Sequence, residues 1–411
     1  MSSVLPEGWE YRPIGDLGEV VTGFTPSTSD PKLWDGEIPF VSPADFTDDV
    51  YVKSTTKKVS ELGASKGRTL PKNAIMVTCI GSLGEIALTS KTCITNQQIN
   101  SIVVNELHDP HFMFYNMKLN SFELKRLSGT TTIPIINKTT FSSIELPVPP
   151  LPEQQKIAEV LGAVDDVIEK TSAQIKKLQD LKKATMNELL TKGIGHTQFK
   201  QSELGTIPES WEVAELQQIS SFITSGSRGW AEYYSNSGAL FIRIGNLTRN
   251  HINMNFNDVV RVNPPKGGEG TRTRVKEGDV LISITADLGI IGVVPFGFEE
   301  AYVNQHVALV RLSDNETINP RWVGHFLSSF AGYRQFIDKN DSGTKAGLNL
   351  SAIRAVNIAI PSLSEQTKIV CTVDSISNQI SAVENKLKSL ISLKKSLMQD
   401  LLTGKVRVKV S

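Results

Sequence analysis

The sequence predicts an α+β protein in which two mixed α/β modules are separated by two long antiparallel helices (a coiled coil), with a pseudo-twofold internal repeat. Three observations predict this. Motifs of the first half recur in the second half in the same order. The segment after each module aligns with its counterpart without a gap and carries coiled-coil spacing. The modules themselves are filled with short β-branched runs and one or two helical stretches, which favours α+β over a parallel α/β sheet.

The repeat is read from the N-terminus. Leu5-Pro-Glu-Gly-Trp9-Glu10 returns as Ile207-Pro-Glu-Ser-Trp211-Glu212, and Asn96-Gln97 returns as Asn304-Gln305. Ser128-Gly129-Thr130 returns as Ser342-Gly343-Thr344, and Glu153-Gln154-x-Lys156-Ile157 as Glu365-Gln366-x-Lys368-Ile369. From Pro152 to Thr191, against Ser364 to Thr403, about a third of the positions are identical, including Lys182-Lys183 and Lys394-Lys395. Trp9 and Trp211, at matching places, read as core anchors.

In the second repeated segment Ile369, Val373, Ile376, Ile380, Val383, Leu387, Leu390, Leu393, Leu397 and Leu401 step mostly by alternating four and three. The first places Ile157, Leu161, Val164, Ile168, Ile175, Leu178, Leu181 and Leu189 correspondingly, with Thr171 and Thr185 as weaker positions. Pro152 suits a first helical turn, Ser362-x-x-Glu365 resembles a capping box, and Gly193 and Gly404 follow the last turns. Gly162 is the one weak point in the first helix. At ~1.5 Å per residue each helix would measure roughly 60 Å. The short linker from Gly193 to Thr206 favours an antiparallel pair. A plain two-helix dimerisation stalk is the simpler reading of this pattern.

Within the modules, Ala74 to Ile80, Ile99 to Val104, Asp279 to Thr285 and Val307 to Leu312 read as strands. His111 to Leu127 and Arg321 to Ile337 carry helical spacing of large apolar residues. The domain boundaries expected from this are a first module at 1–150, a long helix at 151–192, a linker at 193–206, a second module at 207–361, a second long helix at 362–404 and a tail at 405–411.

Composition narrows the function. The 411 residues are 39% hydrophobic and 21% charged, with 43 basic against 43 acidic side chains, so no bulk charge pulls the chain to nucleic acid or membrane. No apolar run is long enough for a membrane span, and the start lacks the basic and apolar regions of a signal peptide. Cys79, Cys93 and Cys371 form no metal-spaced or paired framework. They read as core filler in a reducing, cytoplasmic setting. Phosphate-loop and zincin motifs are absent. Asn263-Pro-Pro-Lys266 approaches an amino-methyltransferase signature, but Lys266 stands where a base-stacking aromatic belongs and no glycine-rich loop precedes it.

Charge gathers locally. Lys53, Lys57, Lys58, Lys66, Arg68 and Lys72 face only Glu61 in their segment, and Arg261, Lys266, Arg272, Arg274 and Lys276 face only Glu269 in theirs. Both patches precede the first apolar strand of their module. A patch found twice suggests a duplex ligand touched at two places. Arg228, Arg243, Arg249 and Lys345 lie in polar stretches from which base edges or phosphates could be reached.

The chain resembles the specificity subunit of type I restriction–modification systems. The resemblance rests on Ser128-Gly-Thr-Thr, Asn137 and Leu146-Pro-Val-Pro-Pro-Leu-Pro-Glu-Gln154, with Ser342-Gly-Thr, Asn349 and Ile358-Ala-Ile-Pro-Ser-Leu-Ser-Glu-Gln366, and on the Pro-Glu-x-Trp opening of each module. It implies that both modules are target recognition domains, each reading half of a bipartite site, with the helices as a ruler between the halves. Thr130, in the first Ser-Gly-Thr, joins the candidate DNA contacts on this ground. The resemblance further implies a non-catalytic subunit bound to double-stranded DNA, two methylation subunits and restriction subunits. S-adenosylmethionine, ATP and Mg²⁺ would belong to those partners, with no cofactor in this chain. The modules differ before Ser128 and Ser342, so two different half-sites are expected. The competing reading is a duplicated coiled-coil scaffold without sequence-specific DNA binding.

Overall fold

The computed structural model describes residues 5–128, 134–226, 228–264, 267–313, 316–340 and 347–410. The chain divides into two units, one of residues 1–173 and 384–411 and one of residues 174–383. Both long helices cross this division. Leu151–Lys192 gives its first part to the first unit and the remainder to the second, whereas Leu363–Leu402 does the reverse.

The first unit holds a five-stranded sheet in the spatial order Gly18–Thr22, Ile99–Val104, Ile75–Thr78, Ile86–Thr89, Tyr51–Val52. A three-stranded sheet of Lys57–Val59, Trp34–Val41 and Ile94–Thr95 accompanies it. Most pairings are antiparallel, so the α+β expectation holds, with parallel pairs at Tyr51–Val52 and at Ile94–Thr95. The second unit repeats the plan. Ser220–Ser225, Val307–Leu312, Val280–Ser283 and Ile291–Val293 form one sheet, and Tyr234–Ser235, Val260–Val262, Ala239–Ile242 and Ala301–Val303 another. The strand after each Pro-Glu-x-Trp pairs with the strand before each long helix, Glu10–Pro13 with Glu145–Val148 and Glu212–Glu215 with Asn357–Ile360. Each module is thereby closed at the point where its helix begins.

Each helical stretch of a module breaks in two. Pro110–Leu119 is followed by Phe122–Leu127, and Pro320–Ser328 by Phe330–Asp338. The apolar spacing carries across the break in both, and in the second unit a short polar side chain interrupts the backbone ladder. Ser329 turns its hydroxyl to the backbone N–H of Gly332 and starts a new helix. Asp109 and Asn319 cap the first helix of each pair, with proline in the following position.

Within each unit the two long-helix segments run antiparallel. In the first, Glu153 meets Arg407 and Asp165 meets Lys394, while Ile157 and Leu161 share a core with Leu401 and Leu402. In the second, Gly193 lies against Glu365, and Leu190 shares a core with Ile369 and Val373. Gly193 and Gly404 end the helices at φ +66° and +70°, a left-handed turn that side chains disfavour. Gly162 causes no break, the helix Leu151–Lys192 running through it, and a Cβ there would meet only the Tyr115 hydroxyl at 4.0 Å.

Two details depart from the sequence pattern. Leu181 and Leu393, expected in the seam, are 51% and 48% exposed. The lysine after each turns inward instead. The Lys394 ammonium reaches Asp165 at 2.6 Å and the Lys182 ammonium reaches the Asn250 carbonyl at 2.6 Å. A lysine can do this because its four-carbon stem packs as an apolar residue while its tip finds a buried acceptor. Of the three cysteines, Cys79 and Cys93 are buried as expected, but Cys371 is exposed, because it lies on the outer face of its helix beside inward-facing Val370 and Val373. Among the described residues no helix is long and apolar enough to cross a membrane.

Candidate nucleic-acid interface

Each module is seated on its long helix by one repeated polar clamp. The indole N–H of Trp9 donates to Glu153 Oε2 at 3.3 Å, and that of Trp211 donates to Glu365 Oε2 at 3.1 Å. The adjacent glutamine finishes the joint. Gln154 donates to the Pro149 carbonyl and accepts from the backbone N–H of Asp109, and Gln366 does the same with Pro361 and Asn319. Glu365 is therefore turned away from Ser362, so the expected capping box is half made: only the Ser362 hydroxyl accepts from the Glu365 N–H, at 3.3 Å. The second partner of each glutamate differs. Arg407 makes a two-bond contact with Glu153 at 2.7 and 2.8 Å, whereas Glu365 takes the His196 ring at 2.9 Å and the Ile194 N–H at 2.8 Å.

A second tie joins each module's leading helix to the long helices. Tyr115 donates to Asp165 at 2.7 Å. In the second unit Asp374 accepts from Arg321 at 2.6 and 2.7 Å and from His325 at 2.8 Å. Burial alone would raise the Asp374 carboxyl, but His325 and Arg321 outweigh it and hold it at about 2. Burial lowers the His325 ring, against the opposing pull of Asp374. Both groups therefore bind fewer protons folded than unfolded. The histidine contribution is present above its ordinary value near 6.5 and fades as pH falls below it; that of Asp374 is lost between 3.8 and about 2. A fall in melting temperature between pH 7 and pH 5 is expected, smaller in His325→Asn; an equal fall in both proteins would refute this source.

The basic residues sort by what they touch. In the first unit Lys57 and Lys58 lie on the strand Lys57–Val59, with Lys57 over the Trp34 ring and Lys58 paired to Glu37 at 3.1 Å. Lys66 ends the helix Glu61–Lys66, and Lys66, Arg68 and Lys72 are exposed. The Arg68 guanidinium leans on the Thr22 carbonyl at 3.4 Å. Lys53 is ion-paired with Glu169 at 2.5 Å.

In the second unit Arg272 is a structural hub, donating to Thr224 Oγ1 and to the Ser225 carbonyl at 2.6 Å. Arg261 grips Glu299 at 2.8 and 3.3 Å, while Arg274 stands 3.8 Å from Glu300, its side chain 56% exposed. The turn ahead of Ala301–Val303 thus brings Arg261 and Arg274 to adjacent glutamates. Arg243 pairs with Asp258 at 2.9 Å. Arg249 pairs with Asp287, which raises its pKa, and covers the Tyr333 ring at 4.9 Å. Arg228 and Lys276 are exposed. Thr130, Lys266 and Lys345 lie outside the described residues. In sequence the Glu-Gln pairs mark only a helix start; the signal for the clamp is that tryptophan and glutamate recur together.

The comparisons with known proteins agree with this double architecture. The family model for the type I restriction modification DNA specificity domain matches residues 6–180 and again residues 208–392. The type I restriction enzyme MjaVIII specificity subunit of Methanocaldococcus jannaschii is 29% identical over 98% of this chain and 94% of its own length. The HindI specificity subunit of Haemophilus influenzae is 33% identical over 45% of this chain and 42% of its own. The fold is similar to the crystal structure of a type I restriction-modification S subunit from M. genitalium, with a TM-score of 0.62, 17% identity and 96% of each chain covered.

Proposed function

Because this chain belongs to the type I restriction modification DNA specificity family, we propose that it is the sequence-reading, non-catalytic subunit that directs methylation and restriction subunits to DNA. The observation that carries the reading is the repeat: two modules of one plan, each clamped to its helix by the same Trp-Glu contact, with different side chains on their surfaces. Two readers of one design with different surfaces suit a bipartite, asymmetric site.

In this reading residues 1–150 and 207–361 are the two target recognition domains. The helices at 151–192 and 362–404 set the number of unread base pairs, and 193–206 and 405–411 are the linker and tail. Two methylation subunits and the restriction subunits complete a cytoplasmic assembly. S-adenosylmethionine, ATP and Mg²⁺ reside in those partners. Exposed Lys57, Lys58, Lys66, Arg68, Lys72, Arg228, Arg249 and Arg274 are the leading backbone and base contacts among the described residues, with Arg243 and Arg261 released from their carboxylates on binding.

The test is selection from a random duplex pool by the chain assembled with its methylation partners. A bipartite motif with unlike halves is expected; enrichment of no motif would favour a duplicated scaffold. Arg274→Glu in the same assembly is expected to weaken binding about tenfold and to flatten the slope of log affinity against log salt by about 0.9. An unchanged slope would remove Arg274 from the interface.

A further inference from the structure

Where the first strand of each five- or four-stranded sheet ends, the two modules share a turn that the basic patches do not include. Gly23 and Gly226 follow Gly18–Thr22 and Ser220–Ser225, and a Cβ at either would collide with the backbone of the crossing segment, at Asn96 in one unit and at Val303 and Asn304 in the other. Only glycine permits that crossing. The crossing segment is the repeated Asn-Gln. Asn96 and Asn304 each accept the backbone N–H two residues on, at 3.1 Å, which turns the chain at the next residue, exposed Gln97 in one unit and half-buried Gln305 in the other.

The arginines brace the same place. Arg68 reaches the Thr22 carbonyl and Arg272 the Ser225 carbonyl, each just before the glycine. Two residues beyond the glycine the modules part company: Thr25 stands in one and Arg228 in the other. The Thr25 hydroxyl donates to Gln97 Oε1 at 2.5 Å, and Gln305 Nε2 meets the His306 ring at 3.0 Å. Each glutamine is thus held by one end of its amide. Exposed Phe24 lies between Gly23 and Thr25.

Resting on the specificity-subunit reading, we propose that Gln97 and Gln305 are the equivalent DNA-reading residues of the two modules, and that Thr25, which touches Gln97, and exposed Arg228, at the matching place after the second module's glycine, make the half-sites differ. A side chain presented by the same asparagine turn in two otherwise divergent readers meets a feature that both half-sites share. A glutamine amide matches the N6 and N7 edge of adenine, whereas arginine matches guanine and threonine has no single partner. One base is therefore read in common and its neighbour is read differently.

The experiment repeats the pool selection with Gln97→Ala, Gln305→Ala and Arg228→Thr, each assembled with the methylation partners. Melting temperatures serve to show that the variants fold. Each glutamine variant is expected to lose on the order of tenfold affinity and the preference at one adenine of one half-site. Arg228→Thr is expected to relax one position of the half-site that Gln305→Ala affects. Uniform weakening with every base preference kept, or equal damage to both half-sites, would overturn the assignment. A wild-type assembly that enriches no motif would instead refute the specificity-subunit reading itself.

Discussion

Trp211→Ala is expected to lower the unfolding free energy of the second unit by about 3–5 kcal/mol, the range for removing a large aromatic from a closed core. Trp211 is fully buried and meets Trp322 edge-on, with ring centroids 5.5 Å apart at 90°. The edge-to-face pair adds to the loss of apolar burial. Its indole N–H also supplies one of the bonds that hold Glu365. Urea unfolding of the full chain measures the cost. Trp211→Phe keeps much of the volume and should lose about 1–3 kcal/mol, leaving Glu365 with His196 and Ile194. A loss below about 1 kcal/mol for the alanine variant would show that the indole does not anchor the module.

Asp374→Ala should be the next most damaging change. It strands Arg321 and His325, which both point at the carboxylate from the helix Pro320–Ser328. Removing one partner of a fully buried pair costs roughly 3–5 kcal/mol. Here the arginine and aspartate side chains keep 30% and 20% of their surface, so rehydration reduces the expectation to about 2–3 kcal/mol. Amide exchange is the direct readout: protection along Pro320–Ser328 should fall before that of the sheet Val280–Ser283. Unchanged protection along that helix would mean that apolar packing of Trp322, Val323 and Phe326 holds it without the ion pair.

The architecture was legible because its strongest signals were periodic and doubled. Ile99–Val104 and Val307–Leu312 are strands at the bounds their β-branched runs marked. The long helices followed from seam spacing and from glycines at their ends. The seam itself misled at Leu181 and Leu393, because a hydropathy pattern scores lysine as surface and cannot see a carboxylate or carbonyl waiting across the interface. The helices at His111 to Leu127 and Arg321 to Ile337 look continuous in sequence for a similar reason: apolar spacing survives the break, which in the second unit is set by the Ser329 hydroxyl.

Charge was the less readable part of the interface. Sequence groups Arg272 with Arg274, yet one braces a strand end and the other stands in solvent. The backbone explains it: Arg272 lies in the helix Gly268–Thr273, whereas Arg274 follows that helix in extended backbone. Likewise Arg243, Arg249 and Arg261 look free in sequence, and each meets an acid well removed along the chain, at Asp258, Asp287 and Glu299.

The tryptophan–glutamate joint has an evolutionary corollary. Each reader is fastened to its stalk by the joint at its boundary and by a few contacts from its leading helix, Tyr115 to Asp165 in one unit and Arg321 and His325 to Asp374 in the other, so a stretch that keeps those contacts can change elsewhere. A single recombination between such boundaries would deliver a new half-specificity already seated, which makes this chain a socket for interchangeable heads.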